Sequence, residues 1–318
     1  MDRPLRFGVG VLAAPSRGSW LEMARKAEDL GFSTLLMPDH LFEQLSPVPA
    51  LAAAAAVTTT LRVGTHVLGN DYRHPVFVAK EAATLDLLSD GRCELGIGAG
   101  WLESDYSAAG LPLSRPGVRI ERLAEAIAIL KSAFGGETFT FRGRHYDVSD
   151  YRGFPLPVQR PHPPLIIGGG GRRMLELAAR EANIVSINPN LATGRYPPAV
   201  SAEALQWGVA GAGLGSVATS EKVAWVRDAA GERMSDIELS CFSRALVTSN
   251  RTQAVQRIAD AVGMTADEIS DSPHFLVGTP RQIAADLFRR RRQFGISYII
   301  VGQAALVDFG PVIEEAQG

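Results

Sequence analysis

The chain has 318 residues, 46% of them apolar and 21% charged, and 32 Lys and Arg set against 34 Asp and Glu leave a formal charge of −2. That length can bury a large core, and a near-neutral balance without an extended basic block argues against a nucleic-acid partner. Cys93 and Cys241 stand in strand-like stretches with no Cys or His close by, so neither a disulfide framework nor a metal site is expected. No apolar run reaches the length of about 18 to 20 residues that spans a membrane, and the N-terminal stretch is too brief for a secretion signal, so a cytoplasmic protein is expected.

The first element is LRFGVGV (5–11), a buried strand. Ser19 and Glu22 have capping-box spacing at the head of a helix whose Leu21, Ala24, Ala27 and Leu30 share a face, and Gly31 ends it. A second strand, STLLMP (33–38), runs into Asp39 and His40, which completes a strand–helix–strand unit of parallel type. LRVGTHVL (61–68) is the third strand; Pro75 opens the next helix, and CELGIGAG (93–100) is the fourth strand. A helix is predicted from about Gly117 to Phe134, then the strand PLIIGG, a helix from about Arg172 to Glu181, and the strand NIVSIN (183–188).

DIELSCFSRALV, a helix around Thr252 to Val262, the helix capped by Thr279, Pro280 and Gln282, and the strand ISYIIVG complete the series. Within the last helix, Arg289 to Arg292 reads as a solvated face or as side chains lying along the surface with their heads in water.

Eight strand candidates separated by helical or irregular sequence predict a (β/α)8 barrel in one domain over 1–318. The rival open sheet would carry a Gly-x-Gly-x-x-Gly turn after its first strand, and GVGVLAAPSRG lacks that spacing. Excursions are expected at 135–164, where FTFRGRHYDV suggests a hairpin, at 189–219 and at 264–278. In a barrel such segments gather at the C-terminal face, where ligands bind.

His40 then stands at the end of the second strand, where barrel chemistry is placed; the alternative is a capping Asp39 beside a satisfied polar histidine. GGGGRRMLELAAREA, from Gly168, joins bare glycines to a helix start, a pattern that lets a phosphate approach backbone N–H groups, with Arg172 or Arg173 adding charge. Gly96, Gly98 and Gly100 either leave room for a flat ring walled by Trp101 or serve close packing.

Taken together, MPDH, the block LRVGTHVLGNDYRHPVFVAKEAATLDLLSDGRCELGIGAGW, the stretch from DYSAAG to RIERLAEAIAIL, and PPLIIGGGG resemble the luciferase-like monooxygenase superfamily. Within it they resemble most the oxidoreductases that use the deazaflavin coenzyme F420. The resemblance is strong from residue 5 to about 185 and weaker over 189–275.

It implies a barrel with insertions, commonly a homodimer, with the cofactor ring at the C-terminal mouth. It further implies His40 as the active-site histidine beside the ring, with Asp39 next to it at the cofactor site. A cis peptide between His66 and Val67 would back the ring near Asn70 and Gly98. Gly168, Gly169, Gly170, Gly171 and Arg172 would receive the cofactor's phosphate, and Trp101 with Tyr106 would form the wall. Some luciferase-like members carry a reactive cysteine where this chain has Gly98, a departure that weighs against luciferase-like chemistry but not against the fold.

The implied activity is hydride transfer between coenzyme F420 and a small organic substrate. The alternative is an FMN-dependent monooxygenase supplied by a separate reductase. A barrel that binds a phosphorylated ligand without turnover is a third reading. Tyr72, Tyr196, His274 and Phe275 are candidates to line the substrate pocket.

Overall fold

The structure, a computed structural model, describes residues 3–190 and 213–317. In chain order the strands are β1 (Arg6–Gly10), β2 (Thr34–Met37), β3 (Arg62–Thr65), the two-residue β4 (Leu68–Gly69), β5 (Cys93–Gly98), β6 (Thr138–Arg142), β7 (Asp147–Arg152), β8 (Leu165–Gly169), β9 (Ile184–Ile187), β10 (Glu238–Val247), β11 (Phe275–Gly278) and β12 (Ile296–Gly302). Eight of them, β1, β2, β3, β5, β8, β9, β10 and β12, pair in parallel in that order, and β12 returns to β1. The sheet thus closes into the expected (β/α)8 barrel. The closing pair runs in register from Arg6 opposite Tyr298 to Gly10 opposite Gly302.

Strands covered on both faces have no need to alternate, which accounts for the fully buried TLLM, CELGIG and IVSI. Leu36, Ile166, Ile184, Tyr298 and Ile300 fill the barrel, with Val67 and Phe242 packed against them. Outside, the strands and the apolar helix faces share a larger cluster that includes Met23 and Met37.

The N-terminal end of the barrel is sealed by charge. Glu94 accepts from Arg6 at 2.9 Å and from Arg62 at 2.8 Å, Arg6 also pairs with Glu238 at 2.7 Å, and its guanidinium lies 3.5 Å from the centroid of the Tyr298 ring. Buried carboxylates are tolerated here because each is paired and hydrogen-bonded. The opposite, C-terminal end is left as the open mouth.

Local signals mostly act as the sequence implies, with informative differences. The first helix starts at Arg17, not after Ser19: Ser16 is the cap, and its hydroxyl accepts from the Ser19 N–H. Thr279 and Gln282 do form a capping box. FTFRGRHYDV lies within the antiparallel β6–β7 hairpin.

Arg290 departs from the solvated-face reading. It is buried and donates to the Phe275 and Ser270 carbonyls, tying its helix to the neighbouring strand. Arg289 is held by Asp271 and Asp286.

The stretch 264–278 contains a short helix, Ala266–Asp271, and β11, which pairs with Arg244–Val247, the part of β10 beyond the barrel. Phe275 and Val277 join Leu214, Val255, Ile258 and Ile269 in a satellite cluster. Most of 189–219, with Tyr196, lies outside the described residues. Among the described residues, no helix is long and apolar enough to cross a membrane, and no group of three or more His, Cys, Asp or Glu is placed to hold a metal ion.

Candidate active site

A cavity of about 460 Å³ opens at the C-terminal mouth, within the usual range of about 300–1,000 Å³ for small-molecule sites. Its walls follow neighbouring strands: Asp39 and His40 after β2, His66 and Val67 after β3, Gly98 and Trp101 at the end of β5, Gly168 to Arg172 around the end of β8, and Asn188 to Asn190 after β9. The helix Pro116–Gly135 adds Pro116, Arg119 and Ile120. Asn70, expected near the ring, does not line it; Asn70 is buried, its amide donates to the Tyr146 hydroxyl at 3.1 Å, and its Oδ1 has no partner.

His40 is fixed from several sides. Its Nδ1 lies 2.6 Å from Oδ2 of Asp105, a carboxylate only 3% exposed on the short helix Glu103–Ala109. Asp105 also accepts from the Leu41 N–H at 3.2 Å and from the Tyr72 hydroxyl at 3.4 Å. Burial, reinforced by the charges of Asp105 and Asp39, pushes the Tyr72 phenol up, so it stays a donor. The His40 ring stacks on Phe42 at 4.9 Å and meets Trp101 edge-on at 6.0 Å. With Asp105 accepting, Nδ1 carries the hydrogen and Nε2 of the neutral ring is the basic nitrogen.

Asp39 plays a different part. Its carboxylate pairs with Arg73 and accepts from the Gly69 N–H at 3.0 Å, so it holds the loop that follows β3. The His66–Val67 peptide is cis, as the resemblance implies. Burial lowers the His66 imidazole to about 4, which leaves it neutral near pH 7, with Nε2 3.1 Å from the Ser186 hydroxyl.

The glycines of the fourth barrel strand answer a close-packing need. A Cβ on Gly96 would lie 1.9 Å from the Thr65 carbonyl oxygen, and one on Gly98 would lie 2.6 Å from Val67 Cγ2. Gly100 has φ +72°, and the Tyr106 hydroxyl lies where its side chain would go. Tyr106, expected as a wall, is instead a buried support that donates to Asp71 at 3.0 Å.

At the end of β8 the glycines permit tight turns against neighbours. A Cβ on Gly170 would come 2.1 Å from the Pro189 carbonyl oxygen and one on Gly169 would come 2.5 Å from Met174, whereas Gly171, the cap of the helix Arg172–Glu181, has open space. The start of that helix, Arg172 to Met174, lines the cavity together with this turn, and the first N–H groups of a helix have no partner within it. Arg172 lines the cavity too, but its guanidinium is engaged by Glu176 at 2.8 Å, and Arg173 is engaged by Glu121 at 2.9 Å.

Tyr72 reaches the cavity, whereas His274 and Phe275 do not: both are buried, and His274 Nδ1 lies 3.0 Å from the Phe242 carbonyl. Sequence reasoning missed Asp105, Arg73 and Arg119. A signal for Asp105 was present, since it falls between Leu102 and Tyr106 on the buried face of its helix.

Comparison with known proteins places this geometry in context. A family model described as luciferase-like monooxygenase matches residues 4–298. The chain is 32% identical over 213 residues to an F420-dependent glucose-6-phosphate dehydrogenase of Microbacterium testaceum, covering 63% of this chain and 62% of that protein. It is 30% identical over 217 residues to an FMNH(2)-dependent dimethylsulfone monooxygenase of Pseudomonas putida, covering 61% and 59%. The chain thus spans about three fifths of the length of these curated relatives.

A coenzyme F420 dependent tetrahydromethanopterin reductase from Methanopyrus kandleri superposes with a TM-score of 0.77 at 17% identity, covering 98% of this chain and 97% of that one. A long-chain alkane monooxygenase superposes with a TM-score of 0.78 at 15% identity, covering 100% and 92%. Identities this low bear on the fold alone. With a family match from one end of the barrel to the other and relatives that use either cofactor, the chain belongs to the luciferase-like monooxygenase family.

Proposed function

We propose that this protein is a coenzyme F420-dependent oxidoreductase that moves a hydride between the deazaflavin and a small organic substrate. The observation that carries the reading is the placement of His40, locked by Asp105, in one cavity with a bare-glycine helix N-terminus. The cavity's features suit a ligand with a phosphate at one end: the bare-glycine turn Gly168 to Gly171 at a helix start, and a buried Arg119 Nε without a partner. Val67 lies close against Gly98 and adds an apolar side chain to the cavity wall.

When bound, the deazaflavin supplies two-electron hydride chemistry. The chain supplies orientation and a proton. Asp105 holds His40 in one tautomer, and Nε2 takes a proton from, or gives one to, a substrate heteroatom. Trp101 and Phe42 keep the imidazole from turning away. The preference for the deazaflavin rests on the sequence layout around Asp39, His40 and Trp101 and on the dehydrogenase relative.

A second reading, FMN-dependent monooxygenation with a separate reductase, is favoured by the dimethylsulfone monooxygenase relative. Side-by-side fluorescence titration of the apoprotein with oxidised coenzyme F420 and with FMN separates the two. Tighter binding of the deazaflavin by about tenfold or more is expected; tighter binding of FMN would transfer the assignment to the monooxygenase reading. A homodimer belongs to the same proposal, and sedimentation equilibrium tests it.

A further inference from the structure

Arg119 is the anomaly of this cavity. It lies in the first turn of the helix Pro116–Gly135 and lines the cavity, yet it is only 8% exposed. One Nη donates to the Ser114 carbonyl, while Nε is buried without any partner. The arginines around it are compensated: Arg122 by Asp71 at 2.7 Å, Arg172 by Glu176 and Arg173 by Glu121. Arg119 forms no ion pair with any described residue.

A guanidinium is not deprotonated in proteins, so a buried one is a standing charge that calls for an anion. Its helix runs beside the start of the helix Arg172–Glu181: the Arg173 guanidinium lies against Gly117 and reaches Glu121, residues that flank Arg119 on the same helix. Arg119 and the Gly168–Gly171 turn line the same cavity.

We propose that Arg119, rather than Arg172, is the charged half of the phosphate site, and that its guanidinium receives the phosphate of the bound cofactor. This rests on the reading above that the cavity holds a flavin or deazaflavin. Backbone N–H groups of the glycine turn offer dipoles to the anion, and Arg119 offers the full positive charge that Arg172 has already committed to Glu176. An arginine suits the task because its donors fork onto two phosphate oxygens at once.

The test compares each chromophore with and without its phosphate: FMN against riboflavin, and coenzyme F420 against its phosphate-free deazaflavin chromophore. Fluorescence titrations are run on the full-length protein, on Arg119→Met, Arg119→Lys and Arg172→Ala. Arg119→Met is expected to weaken the phosphorylated ligand by about tenfold to a hundredfold while leaving the phosphate-free one within about twofold. Arg119→Lys, which keeps the charge and the helix, should recover part of the loss, and Arg172→Ala should cost less than about threefold.

Equal losses for both ligands, with Arg119→Lys failing in the same way, would reduce Arg119 to a tether for the Ser114 loop and overturn the proposal. So would undiminished phosphate discrimination in Arg119→Met. Failure of the unaltered protein to bind any of the four chromophores would instead remove the cofactor reading itself, and this assignment with it.

Discussion

His40 and Asp105 lie 65 positions apart in the chain and 2.6 Å apart in the fold. The histidine was legible from the sequence because a strand end is a local feature, and MPDH writes it out in order. Its partner carried only the weaker signal of its place between Leu102 and Tyr106, because the pairing itself depends on how the helix Glu103–Ala109 packs against the loop after β2. Asp105→Asn keeps the size of the side chain and removes its charge. It is expected to lower kcat by about a hundredfold with little change in cofactor Kd, and His40→Ala to lower it at least as far. Parallel titrations and steady-state kinetics check this; a Kd that rises in step with the fall in kcat would make the pair a brace for the loop and not a proton-handling unit. Arg119 escaped notice for a related reason: in sequence it is one more charge on an amphipathic helix, and only burial shows that it is uncompensated.

At the scale of elements, glycine patterns were read correctly as to place and only partly as to purpose. Gly96 and Gly98 exist so that β5 can approach the exit of β3. In the turn after β8 the four glycines are unequal. Gly170→Ala drives a methyl into the Pro189 carbonyl and must shift the turn, whereas Gly171→Ala meets nothing within 4 Å. The expected outcome is a cofactor affinity lowered by about tenfold or more for Gly170→Ala and by less than about twofold for Gly171→Ala, read by the same titration. β11 escaped the sequence reading because its four residues lie between Pro273 and the cap Thr279, too few to display any period. The capping box at Thr279 was found because all of its signal lies within four consecutive residues.

Over the whole molecule, the barrel was legible because eight apolar runs at intervals leave few ways to bury them. Its acid stability has an identifiable local contributor. Glu28, at the end of the first helix, accepts from the N–H groups of Thr59, Thr60 and Leu61 just before β3. Partial burial alone would raise this carboxylate, but the three donors outweigh it and hold the group down at about 2, from an ordinary 4.5. Because the folded value is the lower one, the unfolded chain takes up the proton first. The stabilisation is fully present above pH 4.5 and fades as pH falls towards 2. Glu28→Gln should therefore lower Tm at pH 7 by about 2–4 °C, and the gap from the unaltered protein should close across that window in thermal melts.

The closing pair of the barrel joins β1, near the start of the chain, to β12, near its end. Every described residue that lines the cavity has been made by residue 190. As the chain leaves the ribosome, it therefore carries the described parts of a binding site for more than a hundred residues before Ile296–Gly302 emerges to shut the ring. Until β12 pairs with them, β1 and, once Val247 has been made, β10 expose unpaired edges. The strand that closes the barrel thus supplies no cavity-lining residue among those described, yet it completes the ring that carries them all.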